Sequence, residues 1–167
     1  MTIFIQGMCF SGKSTMGKIL ADYLKLRFID SRDIFYNMFN VYDLDYLKQY
    51  GRDAFKIAEK QAFMQDFGNC VVALSGSALY YEDIMTDLHK KHIIIWLNTE
   101  YDAIVSRKHK EESNGIIRPI VYPDGIDTFR ALFDSRNIIY KKYATQVVNI
   151  NPNDDHDSVL RKILISK

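Results

Sequence analysis

The sequence predicts a doubly wound α/β domain, a three-layer α/β/α sandwich built on a five-stranded parallel sheet. Three observations point there. Strand-length apolar runs alternate with stretches of helical periodicity along the whole chain. Two of those runs, Cys70 to Leu74 and His92 to Leu97, are continuously apolar, as strands covered on both faces must be. The first run, Ile3-Phe4-Ile5, leads directly into Gly7-Met8-Cys9-Phe10-Ser11-Gly12-Lys13-Ser14-Thr15, a GxxxxGKS phosphate-binding loop followed by a helical pattern. With 167 residues and 47% hydrophobic content, the chain can bury one core, so a single domain over 1–167 is expected.

Taken in order, Thr2 to Gln6 reads as the first strand and Lys13 to Lys25 as the helix after the loop. A short second strand, Arg27 to Asp30, leads into helical sequence from about Ile34, and a long helix runs from about Asp53 to Phe67. The third and fourth strands are the two apolar runs above. A helix ending near Tyr143 precedes a fifth strand, Gln146 to Ile150, and the last helix starts near Asp154. In such sheets ligands gather at the carboxyl ends of the strands, where Gly7, Asp30 and Ser75 emerge. Aromatic residues crowd positions 35–50, where core packing is the default reading.

The loop carries the first chemistry. Gly7 and Gly12 let the backbone turn its N–H groups inward on an anion, and the helix that starts at Lys13 adds the positive end of its dipole. Lys13 would reach the outer phosphates of a nucleotide, and Ser14 would ligate Mg²⁺. A second feature is the segment 108–124, rich in polar and turn residues around Arg118-Pro119. Read plainly it is a surface loop; read with the phosphate loop it is a mobile lid bringing a cation to the transferring group.

Charge and composition exclude several classes. The net charge of +1, from 22 basic and 21 acidic residues spread along the chain, offers no basic block for a nucleic acid. Two cysteines, Cys9 and Cys70, make no disulfide framework. No apolar run is long enough to span a bilayer and no leader precedes the loop, so a cytoplasmic protein without membrane or obligate protein partners is expected. His89 and His92 lack zinc-site spacing. A thiolate at Cys9 would be stabilised in an anion-binding loop, although a small tolerated loop residue explains it as well.

The order and spacing of further motifs resemble the shikimate kinases, small kinases built around a phosphate-binding loop, over nearly the whole chain. Gly12-Lys13-Ser14-Thr15 matches the family's GKST, and Phe28-Ile29-Asp30-Ser31-Arg32 its aspartate-bearing strand end. Gly51 to Glu59 resembles GExxFRxxE, Ser75-Gly76-Ser77 the glycine triplet, Arg118-Pro119-Ile120-Val121 the lid RPLL, and Arg136 to Ala144 the RxxxYxxxA helix. The resemblance implies ATP and Mg²⁺ as cofactors and a small anionic hydroxyl-bearing substrate, the γ-phosphoryl passing to its hydroxyl. It implies Gly7, Gly12, Lys13, Ser14 and Thr15 around the phosphates, Arg107 and Pro152 beside adenine, and Ser14 with Asp30 at the metal. Lys13, Asp30 and Arg118 take the catalytic roles. Arg32, Lys56, Gly76, Arg136 and Phe55 fall on the acceptor side, within or beyond an acceptor-binding segment at about 31–60.

The acceptor side departs from the family. The second carboxylate, two residues after Asp30, is Arg32, which donates hydrogen bonds where an acceptor is wanted. The arginine of GExxFRxxE is Lys56, and two of the three glycines are Ser75 and Ser77. Arg32, Lys56 and Arg136 together suggest an acceptor more anionic than a monocarboxylate. Plainer readings stand beside this: Asp30 as a helix N-cap, Arg32 paired with Asp33 or Asp53, and Lys56 paired with Glu59. A nucleoside or nucleotide kinase is the alternative function, and a non-catalytic ATP-binding module the third.

Overall fold

The computed structural model describes residues 2–116, 118, 120 and 122–165. Among them the five strands are β1 (Thr2–Gln6), β2 (Arg27–Asp30), β3 (Cys70–Ala73), β4 (Ile93–Thr99) and β5 (Gln146–Ile150). They pair in parallel in the order β2-β3-β1-β4-β5. Side chains alternate across the sheet, as the two-residue strand period requires. Phe4, Val72 and Ile94 face one apolar layer, and Ile3, Ile5, Val71, Ile95 and Leu97 face the other.

The seven helices among the described residues are α1 (Lys13–Leu24), α2 (Ser31–Phe39), α3 (Asp43–Phe63), α4 (Glu82–Lys91), α5 (Tyr101–Ser113), α6 (Phe129–Tyr143) and α7 (His156–Ile165). Helices α1 and α7 cover one face, through Met16, Leu20, Val159 and Ile163. The opposite face is covered by α2, α3 and α4 through Phe35, Phe55, Ala62 and Met85. A third apolar cluster, Met8, Phe10, Ile104, Leu132 and Phe133, fastens the loop after β1 to α5 and α6.

Two stretches differ from the expectation. Helix α3 begins ten residues before Asp53 and is kinked at Gly51, whose φ of 80° and ψ of 174° interrupt the helical backbone. Only the part beyond that kink carries the periodicity visible in sequence. Helix α5 runs to Ser113, so residues 108–113 of the expected lid are helical. The helix buries Ile104 alone, which is too little apolar patterning to announce it. Within that segment Pro119 and Val121 lie outside the described residues.

Candidate active site

The carboxyl ends of β1, β2 and β3 open into a cavity of about 1110 Å³. On its nucleotide side the loop of residues 7–12 has positive φ at Gly7 (150°), Phe10 (65°) and Gly12 (92°). Gly7 has no room for a side chain, since a Cβ there would lie 2.9 Å from Ser11 Oγ and 3.0 Å from the Leu97 carbonyl oxygen. Gly12 is the N-cap of α1, so the first amides of that helix face the cavity mouth. Lys13 Nζ folds back to donate to the carbonyl oxygens of Gly7 and Met8, each at 2.9 Å. Desolvation is the main cause that brings its pKa down to about 8, with the nearby Arg136 and Arg32 charges adding to it. Burial pushes the Cys9 thiol up despite Lys13 and Arg136, so a resting thiolate is disfavoured.

Thr15, Arg107 and Arg118 also line this side. Arg107 Nη1 donates to the Phe10 carbonyl at 3.2 Å, bracing the loop. Arg118 forms a two-pronged ion pair with Glu111, Nη2 lying 2.9 Å from Oε1, and its guanidinium stands 5.7 Å from the Phe10 ring. Pro152 is exposed and does not line the cavity, although Ile150 and Asp154 on either side do. Asp154 ties that loop by accepting from the Asn151 N–H at 2.7 Å and from Lys162.

Asp30 stands at the junction of the two sides. It is 8% exposed and N-caps α2, its Oδ1 accepting from the Arg32 N–H at 3.1 Å. Ser14 Oγ donates to Oδ2 at 2.7 Å. The Arg32 side chain curls back over the same carboxylate, Nε to Oδ1 and Nη2 to Oδ2, both 3.0 Å. Burial works against the Asp30 charge, but these hydrogen bonds from Arg32 and Ser14 outweigh it and hold the carboxyl below its usual range. The N-cap expected of Asp30 is formed, and the partner of Arg32 is Asp30, not Asp33 or Asp53.

The acceptor side is built from α2, the start of α3, the turn after β3 and α6. Arg136, 4% exposed, stacks 5.6 Å from the Tyr80 ring and donates from Nε to its hydroxyl at 3.2 Å. Gly76 packs against it, and a Cβ there would come 2.7 Å from Arg136 Nη1 and push the guanidinium aside. Phe55 is buried, packs 5.7 Å from Phe35 and lines the cavity with Leu44. Lys56 is not brought there: it is exposed on α3 and absent from the cavity wall. The three-cation pocket expected from Arg32, Lys56 and Arg136 thus does not form. Lys56 also does not pair with Glu59, which is 4% exposed and accepts from Ser75 Oγ (3.0 Å), Ser77 Oγ (2.5 Å) and Tyr81 Oη (2.7 Å). The serines that replace glycines are engaged by this carboxylate. Burial still pushes the Glu59 carboxyl above its usual range, with those hydrogen bonds opposing.

Two residues on the acceptor side, Asp43 and Glu59, were not among the site residues expected from sequence. Asp43, in the first turn of α3, lines the cavity, and nothing local separates it from any acid at a helix start. Glu59 was readable: it shares one helical face with Phe55, Ala58 and Ala62, and a carboxylate on an apolar stripe must be buried with partners. Among the described residues there is no histidine, cysteine or carboxylate cluster fit to hold a metal, and no helix long and apolar enough to cross a membrane.

Comparison with known proteins agrees with this arrangement. A shikimate kinase of Clostridium botulinum is 27% identical over 151 residues, covering 89% of this chain and 88% of that protein. One from Bartonella henselae is 30% identical over 139 residues, covering 81% and 64%. The crystal structure of shikimate kinase from Bacteroides thetaiotaomicron superposes with a TM-score of 0.80 at 21% identity, covering 97% of this chain and 95% of that one. The sequence profile described as shikimate kinase matches residues 10–166. With that profile spanning almost the whole chain, and with the phosphate loop, Asp30, Gly76 and Arg136 assembled around one cavity, the chain belongs to the shikimate kinase family, ATP-dependent small-molecule kinases that transfer phosphate to a hydroxyl.

Proposed function

We propose that this kinase phosphorylates a hydroxyl of a small acceptor bearing a single carboxylate, shikimate being the first compound to test. Arg136 carries the reading. It is a buried, pre-oriented guanidinium on the acceptor side, and its planar fork suits one carboxylate. With Lys56 outside the cavity and Arg32 committed to Asp30, the charge left for the acceptor suits a monoanion better than a phosphorylated one. Asp33 and Asp43 on the same wall would repel a second anionic group.

The nucleotide side supports ATP as donor. The inward amides of the loop would cradle the phosphates, and Lys13 would exchange the Gly7 and Met8 carbonyls for phosphate oxygens. The Ser14 hydroxyl and Asp30 carboxylate, 2.7 Å apart, are the oxygen donors a hard cation takes, so the pair fits magnesium. Bound there, magnesium would offset the charge of the phosphates. Asp30 serves it only once Arg32 lets go of the carboxylate, and Arg118 reaches the phosphates only by leaving Glu111.

A coupled ADP-release assay over shikimate, other hydroxy acids, sugar phosphates and nucleoside monophosphates tests this. Turnover with shikimate or another hydroxy monoacid is expected. Turnover confined to nucleoside monophosphates would overturn the proposal in favour of a nucleotide kinase.

A further inference from the structure

Where α2 meets α3, the acceptor wall ends in a recess of about 10 Å³, room for a single hydroxyl or water. Arg32, Asp43 and Ser75 line both the recess and the open cavity, so the two adjoin at these side chains. Ser31 and Glu59 complete its polar lining, and Phe35, Ala62 and Phe63 make the apolar remainder. Ser31 is only 4% exposed, yet its hydroxyl is buried without a hydrogen-bond partner. Leaving a buried hydroxyl unsatisfied is unfavourable, so its place beside a substrate cavity points to a ligand group that completes it.

Asp43 is the second half of the argument. Arg32 lies on this wall, but its guanidinium is turned onto Asp30 and, having no acceptor atom, cannot receive a hydroxyl proton. Asp43 brings a carboxylate to the same wall from the start of the next helix. Its Oδ1 accepts from the Leu44 N–H at 2.9 Å, which fixes the side chain in the first turn of α3. Burial pushes its carboxyl up despite the Arg32 charge, which marks a group withdrawn from bulk water beside the cavity.

We propose that this recess is a hydroxyl subsite of the acceptor site, in which Ser31 and Asp43 bind a ring or chain hydroxyl of the substrate and so select polyhydroxylated acids over simple hydroxy acids. The inference rests on the monocarboxylate reading above and adds the residues that recognise the far side of the molecule. Ser31 and Asp43 are specificity residues here, and no step of phosphoryl transfer is assigned to them.

The test compares the wild type, Ser31→Ala and Asp43→Asn with shikimate as the probe, measuring KM, kcat, ADP affinity and thermal midpoint. Loss of a neutral hydrogen bond should raise the shikimate KM about fivefold in Ser31→Ala, and loss of a charged one about tenfold or more in Asp43→Asn. ADP affinity should not change in either. Removing an orphaned hydroxyl should leave the thermal midpoint of Ser31→Ala equal to or above that of the wild type, which separates a binding role from a structural one. A wild-type KM in either variant overturns the subsite while leaving the proposed function standing. If the wild type binds shikimate but does not phosphorylate it, the subsite is judged by the same ratios in calorimetric Kd, and the proposed function by turnover of the other hydroxy monoacids. No shikimate binding at all by the wild type overturns the subsite, while the proposed function then stands or falls with the other hydroxy monoacids.

Discussion

The nucleotide side and the acceptor side of the cavity are built by different means. On the nucleotide side, backbone makes the site: positive φ at Gly7, Phe10 and Gly12 and the amides opening α1 define an anion cradle whatever the neighbouring side chains are. On the acceptor side, side chains make it, through partnerships between distant segments such as Glu59 with Ser75, Ser77 and Tyr81, or Arg136 with Tyr80. A backbone cradle constrains the residues that set its φ angles, Gly7 and Gly12 above all. A side-chain wall can be rebuilt residue by residue, and here it has been, with Arg32 turned onto Asp30 and a buried carboxylate tying down two serines.

Substitutions can break this contrast. The largest effect belongs to the cradle: Lys13→Ala should lower kcat about a thousandfold, because it removes the ammonium held inside the loop itself, and Lys13→Arg should recover little of it. Steady-state ADP release checks this, and near-normal rates in either variant would remove Lys13 from the mechanism. Next comes Arg136→Met, which should raise the acceptor KM about a hundredfold while ADP affinity, measured by calorimetry, stays put. An equal loss of ADP binding would show that the two sides are not separable.

A smaller effect is expected at the junction. Arg32→Gln should free Asp30, so that half-maximal ADP binding needs about fivefold less magnesium; a half-exposed ion pair is worth no more. An unchanged magnesium titration would mean that Arg32 does not compete for the carboxylate. The smallest effect sharpens the acceptor side. Because burial lifts the native pKa of Glu59 above its ordinary 4.5, the folded state holds that proton more tightly than the unfolded chain does. Its contribution is therefore fully present below pH 4.5 and declines as pH rises through the native value. Urea unfolding across pH 4 to 7 should show this decline in the wild type and a flatter profile in Glu59→Gln.

The same contrast explains what was legible in the sequence. Strands β1, β2 and β5 fall on the expected residues because apolar runs bounded by turns need no tertiary information. Lys13, Ser14 and Asp30 line one cavity because strand–loop–helix geometry brings them to the same sheet edge. Lys56 could not be placed, since its charge type suited a pocket while its position on α3 turned it to water. The Arg32–Asp30 pair was hidden because it lies within one turn of a helix start, where an arginine has several acids in reach and only the built helix chooses among them. Asp43 was hidden because the kink at Gly51 separates its half of α3 from the half with a clear apolar face.

The folded-back Lys13 has a consequence of its own. With a pKa of about 8, the free protein near that pH is a mixture of ammonium and amine at this residue, whereas a triphosphate strongly prefers the ammonium. Nucleotide capture above neutrality therefore draws a hydrogen ion from the solvent. The heat of binding should then shift with the ionisation enthalpy of the buffer, and affinity should weaken as the medium becomes more alkaline.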